Sequence, residues 1–237
     1  MRIGIMGALE MEIELLKEDM DLKDKLEKAG MTLYLGKLSG VEIVVVKSGV
    51  GKVNAAVCTQ ILIDEFNIDK LIFTGVAGAI EPKLAVEDIV ISTDLVQHDV
   101  DATGFEDQKL GEVPGLDTIE FTADEELLEL AFEASKNILK NESNQAYKGR
   151  ILSGDQFICN SQKVKELKET FGGYCTEMEG AAVAQTAYLN QLPLVVIRSI
   201  SDKADEEADV SFVEFAEVAA KHSYKIVTAM LEKIISS

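Results

Sequence analysis

Residues 175–184 read CTEMEGAAVA, and the rest of the chain can be organised around this stretch. A polar, strand-like segment meets two carboxylates, Glu177 and Glu179, on either side of a methionine. Alanine is a strong helix former and is frequent after this point, so we predict a helix that begins near Glu179. The helix dipole favours an acid in the first turn, which predicts an ionised Glu179 at a strand–helix junction. Such a carboxylate can bind a vicinal diol, although an ordinary helix-start acid has the same pattern.

The composition limits the class of protein. With 237 residues, 47% of them hydrophobic, the chain is long enough for one large α/β domain with a substantial core. A net charge of −19 repels phosphates, which argues against nucleic acids and anionic membranes as partners. There is no signal-peptide pattern and no apolar run near the ~20 residues that a membrane span needs. Three scattered cysteines without CxxC spacing complete the prediction of a soluble, cytoplasmic protein.

Hydrophobic periodicity predicts alternating strands and helices. The predicted strands are 2–6, 31–38, 41–47, 70–74, 88–92, 94–98, 147–153 and 194–200. The predicted helices begin near residues 9, 52, 123, 162, 179 and 211. This alternation indicates a single domain, residues 1–237, with a three-layer α/β/α fold around a mixed sheet. The glycines of 75–78 are expected to form a turn, and 99–122 is expected to be a loop at a site or an interface.

Residues 49–52, GVGK, follow a strand and open a helix, as phosphate-binding loops do. A dinucleotide fingerprint would need Gly or Ala at the sixth position, which is Asn54. A P-loop would need Gly at 46 and Ser or Thr at 53, where the chain has Val46 and Val53. We therefore interpret 49–52 as a glycine turn that lets the backbone approach a small ligand or another strand.

Residues 98–101, HDVD, resemble part of a metal site. The chain has only two histidines, His98 and His222, and no third ligand stands at metal spacing. A polar, solvated strand end is therefore expected here, and no metal is predicted.

Three carboxylates occupy special positions. Glu12 lies in the first turns of the helix after the first strand, Glu179 lies at the junction above, and Asp202 follows an apolar strand. Ligands of open α/β sheets gather at strand ends, so these acids predict an acid/base site. Each alone has the pattern of a surface residue, and the prediction depends on the three together.

The chain resembles the bacterial 5′-methylthioadenosine/S-adenosylhomocysteine nucleosidases of the nucleoside phosphorylase superfamily. The matching segments run in the family's order over nearly the whole chain. They are 3–12 (IGIMGALEME), 47–56 (KSGVGKVNAA), 74–78 (TGVAG), 98–103 (HDVDAT), 153–158 (SGDQFI), 177–179 (EME), 198–202 (RSISD) and 211–212 (SF). The resemblance implies a nucleoside phosphorylase-like fold, a homodimer and no cofactor.

The resemblance also implies hydrolysis of the N-glycosidic bond of 5′-methylthioadenosine, S-adenosylhomocysteine and 5′-deoxyadenosine. Asp202 matches the acid that protonates adenine N7, Glu12 the base that activates water, and Glu179 the acceptor for the ribose diol. To act near neutrality, Asp202 needs a pKa raised by burial or by neighbouring acids. A helix N-terminus lowers the pKa of Glu12, so burial must compensate there.

Further binding residues follow from the same resemblance. Phe157 is expected to stack on adenine, the Ile158 backbone to bond the base edge, Met178 to pack under the ribose, and Arg198 to lie near the ribose hydroxyls and Glu179. The remaining substrate-binding positions on this side are Gly78 and Ser201.

An apolar slot for the 5′-alkylthio group is implied by Leu9, Val50 and Phe212. Phe105 would complete this slot from the partner subunit of the homodimer. Position 76 is Val where many family members have a small hydroxyl residue, so one polar contact near the sugar is absent.

Three alternatives remain open on the sequence. A purine nucleoside phosphorylase needs a cationic phosphate pocket, but the chain has only three arginines, and Glu12 would repel phosphate. An aminodeoxyfutalosine nucleosidase shares the catalytic carboxylates, so the sequence separates it poorly. A non-catalytic nucleoside-binding protein would not require all three acids.

Overall fold

The apolar strands predicted above form one sheet in a computed structural model, which describes residues 1–116, 118–205 and 208–236. The side chains of 209–214, 216 and 236 lie outside this description. The strands are β1 (Arg2–Gly7), β2 (Asp21–Lys28), β3 (Met31–Leu38), β4 (Val41–Lys47), β5 (Lys70–Ala79), β6 (Ile89–Gln97), β7 (Glu120–Thr122), β8 (Ala146–Ser153), β9 (Cys175–Glu177) and β10 (Leu194–Asp202). The helices are α1 (Glu10–Asp19), α2 (Lys52–Phe66), α3 (Glu125–Ile138), α4 (Ser161–Phe171), α5 (Gly180–Asn190) and α6 (Ala208–Ser236).

The sheet is mixed and partly closed. Its order is β10-β6-β8-β9-β5-β1-β4-β3-β2, with β7 also paired to β6. Because β10 pairs with β5 as well as β6, strands β5, β10, β6, β8 and β9 close into a ring, from which β1 to β4 extend. β1, β4, β5 and β10 are parallel neighbours, so their carboxyl ends lie at one edge of the sheet.

Successive residues of the central strands pack on opposite faces of the sheet, because side chains alternate along a strand. In β1, Ile3 and Ile5 join a core with α1, α3 and α6, whereas Met6 joins a core with α2 and α5. A smaller cluster packs α4 against β8 through Leu152 and Leu167. Both faces are thus covered by helices, and the predicted α/β/α fold class is confirmed.

The helix ends follow from local chemistry. The Asp124 side chain accepts the Leu127 N–H at 2.9 Å and caps α3, and Asn160 caps α4 in the same way. α4 ends at Gly172, whose φ of 71° lies in the left-handed region that favours glycine. No helix in the described part of the chain combines the length and the apolarity needed to cross a bilayer.

The region 75–78 differs from its prediction. It is not a turn, because β5 continues through it to Ala79. A Cβ at Gly75 would lie 2.6 Å from a carboxylate oxygen of Glu12, and a Cβ at Gly78 would lie 2.7 Å from one of Asp202. The glycines therefore make room for two acids rather than reverse the chain.

Two other strands also differ from expectation. β2 was not predicted, since all eight of its residues are exposed and no apolar periodicity marks it. It is the edge strand beside β3, and its charged side chains are typical of protected sheet edges. The segments predicted as strands 88–92 and 94–98 form one continuous strand, β6.

Candidate active site

A cleft of about 820 Å³, including its open mouth, lies where β1, β5 and β10 end and α5 begins. The predicted site residues that line it are Leu9, Glu12, Val50, Gly78, Phe157, Ile158, Met178, Glu179, Arg198, Ser201 and Asp202. The sequence had also placed Val76 near the sugar, and it lines the cleft; the lining residues that sequence reasoning missed are Ala8, Ala77, Gln156, Thr176 and Glu177. Within the described residues, no cluster of three or more His, Cys, Asp or Glu side chains is arranged to hold a metal ion.

Glu12 lies in the first turn of α1, directly after β1, and is buried. It accepts three backbone N–H hydrogen bonds, from Ala8 (2.6 Å), Leu9 (2.9 Å) and Val76 (3.2 Å). Burial raises the pKa of Glu12, although the nearby Arg198 charge and these N–H groups oppose the shift. The carboxyl group is therefore fixed in position and holds its proton more strongly than a solvated glutamate.

Glu179 is the residue immediately before α5, and its Oε1 accepts the Gly51 N–H at 2.7 Å. Burial, followed by repulsion from Glu177, raises the pKa of Glu179 to about 8. The prediction of an ionised Glu179 is therefore wrong for the ligand-free protein near neutrality. The helix N-terminus stabilises the charged form of Glu179. Burial and repulsion from Glu177, two residues away, destabilise that form by more, so the pKa rises.

Asp202 is the last residue of β10. Its Oδ2 accepts the Ser201 hydroxyl at 2.7 Å, and its Oδ1 accepts the Ala204 N–H at 2.7 Å. Burial raises the pKa of Asp202 in spite of these bonds, and the charge of Asp205 adds to the rise. Asp202 thus combines a fixed geometry with a pKa shifted towards neutrality.

The hydrogen bonds of Glu177 were not predicted from the sequence. Its Oε2 accepts an Arg198 guanidinium N–H at 2.6 Å, and both side chains are almost completely buried. Glu177 also accepts the Ser153 hydroxyl and the Gly180 N–H. Arg198 packs over the Phe73 ring, 4.1 Å from its centroid. The position of Glu177 in the EME segment was the available signal, but its pairing with Arg198 depends on β9 and β10 both pairing with β5.

The segment 98–101 is not a solvated strand end, contrary to the prediction. His98 is 5% exposed, and Asp99 makes an ion pair with Lys52 at 2.6 Å. Asp99 also accepts the Asp155 N–H at 2.9 Å. The segment is therefore part of the packed rim of the cleft.

Comparison with known proteins places the chain in a family. The family model of the phosphorylase superfamily matches residues 2–232. The 5′-methylthioadenosine/S-adenosylhomocysteine nucleosidase of Geobacillus thermodenitrificans is 43% identical over 237 residues, which cover 100% of this chain and 98% of the relative. The chain belongs to the 5′-methylthioadenosine/S-adenosylhomocysteine nucleosidase family of the phosphorylase superfamily. The family assignment made from the sequence motifs is confirmed.

Solved structures of this nucleosidase family have the same fold. The Neisseria meningitidis enzyme in complex with methylthio-immucillin-A has a TM-score of 0.92 and 40% identity, with 98% of this chain and 99% of that chain covered. The futalosine hydrolase of Helicobacter pylori is nearly as similar, with a TM-score of 0.90, 35% identity, and coverage of 98% and 97%. Two differently named hydrolases therefore share this architecture.

The binding residues that the sequence predicted can now be located in the structure. Phe157 is 50% exposed at the mouth of the cleft, whereas Ile158 is buried and Met178 is half-buried in its wall. Arg198 lines the same cleft and is bonded to Glu177, which also lines it. The structure thus brings most of the predicted residues to one place.

One predicted residue, Phe105, does not line the cleft of its own chain, and a second, Phe212, cannot be compared with its prediction. Phe105 is 72% exposed and is absent from the described lining of its own chain's cleft. Phe212 lies in α6, but its side chain is outside the described residues. Leu9 and Val50, the other two residues predicted for the apolar slot, line the cleft.

Proposed function

We propose that this chain, as a single domain over 1–237, hydrolyses the N-glycosidic bond of 5′-methylthioadenosine, S-adenosylhomocysteine and 5′-deoxyadenosine. One observation carries the proposal: the buried carboxyl groups of Glu12, Glu179 and Asp202, each with a raised pKa, line the same cleft. Perturbed acids that converge in a cleft are typical of acid/base sites. The names of the relatives supply the substrate class. No cofactor takes part in the proposed reaction.

Asp202 is the proposed general acid. Adenine leaves poorly as an anion, and protonation of its N7 lets it depart as a neutral base. A donor must hold its proton at the working pH, and both burial and Asp205 favour the protonated form of Asp202. The Ser201 hydroxyl and the Ala204 N–H fix the direction of the carboxyl group.

Glu12 is the proposed base that orients and deprotonates water. Burial raises the pKa of both acids, but the Arg198 charge opposes the rise at Glu12 whereas the Asp205 charge adds to the rise at Asp202. This difference favours Glu12 as the ionised member of the pair and Asp202 as the protonated member. Three N–H donors then hold the Glu12 carboxylate in place.

Glu179 is the proposed acceptor for the ribose 2′- and 3′-hydroxyls. Two hydroxyl donors stabilise the carboxylate form, so a bound nucleoside lowers the pKa of Glu179 from its ligand-free value of about 8. The resulting negative charge beside the sugar stabilises the positive charge that develops as the bond to adenine breaks. Arg198, Met178, Gly78 and Ser201 complete the proposed ribose side.

The remaining walls of the cleft fit the apolar parts of the substrate. Phe157 is the proposed stacking partner of adenine, and the Ile158 backbone is the proposed contact to its edge. Leu9 and Val50, with Phe212, are the proposed slot for the 5′-substituent. Such sites are mostly apolar with a few oriented polar groups.

A homodimer is proposed to complete the slot, with Phe105 supplied by the partner subunit. An exposed phenylalanine away from its own cleft supports this arrangement. Neighbouring helices α2 and α5 also expose apolar side chains, which is typical of an interface. These side chains are Val53, Val57, Tyr188 and Leu189.

Phosphorolysis fits this cleft less well. Among the described residues that line it, Arg198 is the one cationic side chain, and Glu177 is already bonded to it. A phosphate needs several donors or cations, and Glu12 and Glu179 would repel it. Water is therefore the proposed nucleophile.

Aminodeoxyfutalosine hydrolysis is the second candidate, because the Helicobacter pylori futalosine hydrolase is so similar in structure. The two reactions share adenine as the leaving group and differ in the 5′-substituent. The preference between the two substrates therefore depends on the residues around the 5′-substituent and not on the three carboxylates.

The decisive experiment measures adenine release from 5′-methylthioadenosine in phosphate-free buffer. We expect release at an undiminished rate without phosphate, and faster turnover than with aminodeoxyfutalosine. S-adenosylhomocysteine and 5′-deoxyadenosine are tested in parallel. A rate that requires phosphate would identify a phosphorylase, and binding of adenine without any turnover would identify a nucleoside-binding protein.

A further inference from the structure

Three segments at the rim of the cleft meet at Lys52, the first residue of α2. They are the turn 48–51 after β4, the segment that follows β6 from His98, and the segment that follows β8 from Gly154. The Lys52 ammonium bonds the Asp99 carboxylate at 2.6 Å, and the Lys52 N–H bonds the Asp155 carboxylate at 2.8 Å. One residue thus links all three segments.

The Lys52–Asp99 pair differs from an ordinary surface ion pair. The two side chains are only 17% and 15% exposed, so solvent and salt screen them less. Asp99 also accepts the Asp155 N–H at 2.9 Å through its other oxygen. Burial works against the charge of Asp99, but the bonds to Lys52 and Asp155 outweigh it and lower the pKa of Asp99. We call Lys52, Asp99 and Asp155 the rim clasp.

Two glycines let these segments approach each other. Gly51 has a φ of 97°, and a Cβ there would lie 3.2 Å from a carboxylate oxygen of Asp155. A Cβ at Gly154 would lie 2.4 Å from Nε2 of His98, which is buried. The segments are therefore packed without spare space, and a shift of one displaces the others.

The rim clasp adjoins groups proposed to hold the substrate. The Gly51 N–H, adjacent to Lys52, donates to Glu179 Oε1 at 2.7 Å. Val50 precedes Gly51 and lines the cleft, and Phe157 lies two residues after Asp155. The orientation of the diol acceptor and the position of the aromatic wall both depend on the linked segments.

We propose that Lys52 is a positioning residue for nucleoside binding, which acts through Asp99 and Asp155 to hold the Gly51 N–H against Glu179. The proposal rests on the proposed function of the cleft. Lys52 does not line the cleft among the described residues, so its effect is transmitted through the backbone. Removing its charge should therefore impair ribose alignment more than the chemical step.

The first test compares Lys52→Met with wild type in steady-state adenine release. We expect KM to rise about tenfold with kcat changed less than about threefold, as when binding alone is weakened. Lys52→Arg keeps the charge and should restore most of the KM. Lys70→Met is the matched control, since Lys70 is 16% exposed, pairs with Glu126 at 2.6 Å and is not a lining residue. A KM in Lys52→Met equal to that in Lys70→Met would overturn the proposal.

The second test asks whether the ribose diol is the affected group. Kd values for 5′-methylthioadenosine and its 2′-deoxy analogue are measured by calorimetry in the Asp202→Asn background, where turnover is slow. Lys52→Met should weaken binding of the diol substrate about tenfold and that of the 2′-deoxy analogue much less, because the analogue cannot use the full Glu179 contact. Equal loss for both ligands would overturn the positioning role.

Failure of the proposed function has a different signature. Wild type that binds the nucleoside without releasing adenine rejects hydrolysis but leaves the calorimetric comparison valid. Absence of nucleoside binding by wild type would overturn both proposals. Thermal unfolding of each variant is recorded, and Asp99→Asn serves as the second variant if Lys52→Met is poorly folded.

Discussion

The site contains buried carboxylates of two kinds, one bonded to a cation and the others not. In the supporting layer, Glu177 and Arg198 reach the cleft wall but are bonded to each other, and Glu177 also accepts the Gly180 N–H of α5. On the cleft face, Glu12, Glu179 and Asp202 are equally buried but have no ion pair among the described residues. Burial without a bonded cation raises all three of these pKa values. The supporting layer therefore holds a paired charge, whereas the cleft face holds carboxyl groups with raised pKa values, as the proposed reaction requires.

The contrast is sharpest between Glu177 and Glu179, which are two residues apart. Repulsion between them is one cause of the high pKa of Glu179, second to burial. A carboxylate that is bonded to a cation, such as Glu177, repels the negative charge of a neighbouring carboxylate that is not, such as Glu179. The neighbour then holds its proton more strongly. The two layers are therefore coupled, because the charge of Glu177 in one affects the pKa of Glu179 in the other.

The largest effect is expected for Asp202→Asn. An amide cannot deliver a proton to adenine N7, so kcat should fall about 10³-fold, near the middle of the range for a lost general acid. Asp64→Asn is the control, because Asp64 is exposed on α2 and accepts a hydrogen bond only from Gln60 among the described residues. Adenine release is followed in both variants. Unchanged release in Asp202→Asn would remove the assigned acid.

The next effect is on stability and separates the two layers. Glu177→Gln leaves the buried Arg198 charge unpaired and should cost about 3 kcal/mol, which lowers Tm by roughly 6 to 12 °C in a chain of this size. Glu179→Gln removes a group whose charge is already disfavoured and should leave Tm unchanged or higher. Calorimetry at pH 7.5 measures both. A similar loss in the two variants would contradict the distinction between the layers.

A smaller effect on rate is expected for Glu12→Gln. Loss of the base should lower kcat about 10²-fold, while the Ala8 and Leu9 N–H groups, which share one oxygen of Glu12, keep their acceptor. Glu10→Gln is the matched control on the same helix turn, since Glu10 is half exposed and pairs with Lys17 and Lys47. Substrate Kd is measured alongside kcat. A Glu10→Gln variant as slow as Glu12→Gln would show that the helix, and not the buried carboxyl group, sets the rate.

Much of the fold was predictable because it depends on local patterns. Alternating apolar residues identified β3 and β4, and the small residues after Glu179 identified α5. The edge strand β2 was missed because an exposed strand needs no apolar alternation. Gly75 and Gly78 were misread as a turn because their reason for being glycine lies in Glu12 and Asp202, which are distant in sequence.

The candidate site shows the same division. The three acids could be predicted from strand ends and from the family resemblance, but the charge state of Glu179 could not. That state depends on burial and on the separation from Glu177, which only the three-dimensional arrangement sets. The roles of Lys52 and Asp99 were missed for the same reason, since they are 47 residues apart.

The smallest predicted effect is the pH dependence of stability in the ligand-free protein. The folded pKa of Glu179, about 8, lies above the ordinary value of 4.5, so between these values the folded state binds a proton that the unfolded state has lost. Its contribution is fully present below pH 4.5 and is lost as pH rises to 8. The lowered pKa of His98, caused by burial, has the opposite effect but only below its ordinary value of 6.5.

From pH 6.5 to 8.5 the unfolding free energy should therefore fall by about 1 to 2 kcal/mol through Glu179, a Tm decrease of roughly 2 to 8 °C. The Glu179→Gln variant lacks the titrating group, so its Tm should decrease less over the same interval. Saturating 5′-methylthioadenosine in the Asp202→Asn background should also flatten the profile, because a bound diol favours the carboxylate. Parallel profiles for wild type and Glu179→Gln would mean that the cleft face holds no proton at position 179, and the contrast between the two layers would then reduce to Glu12 and Asp202.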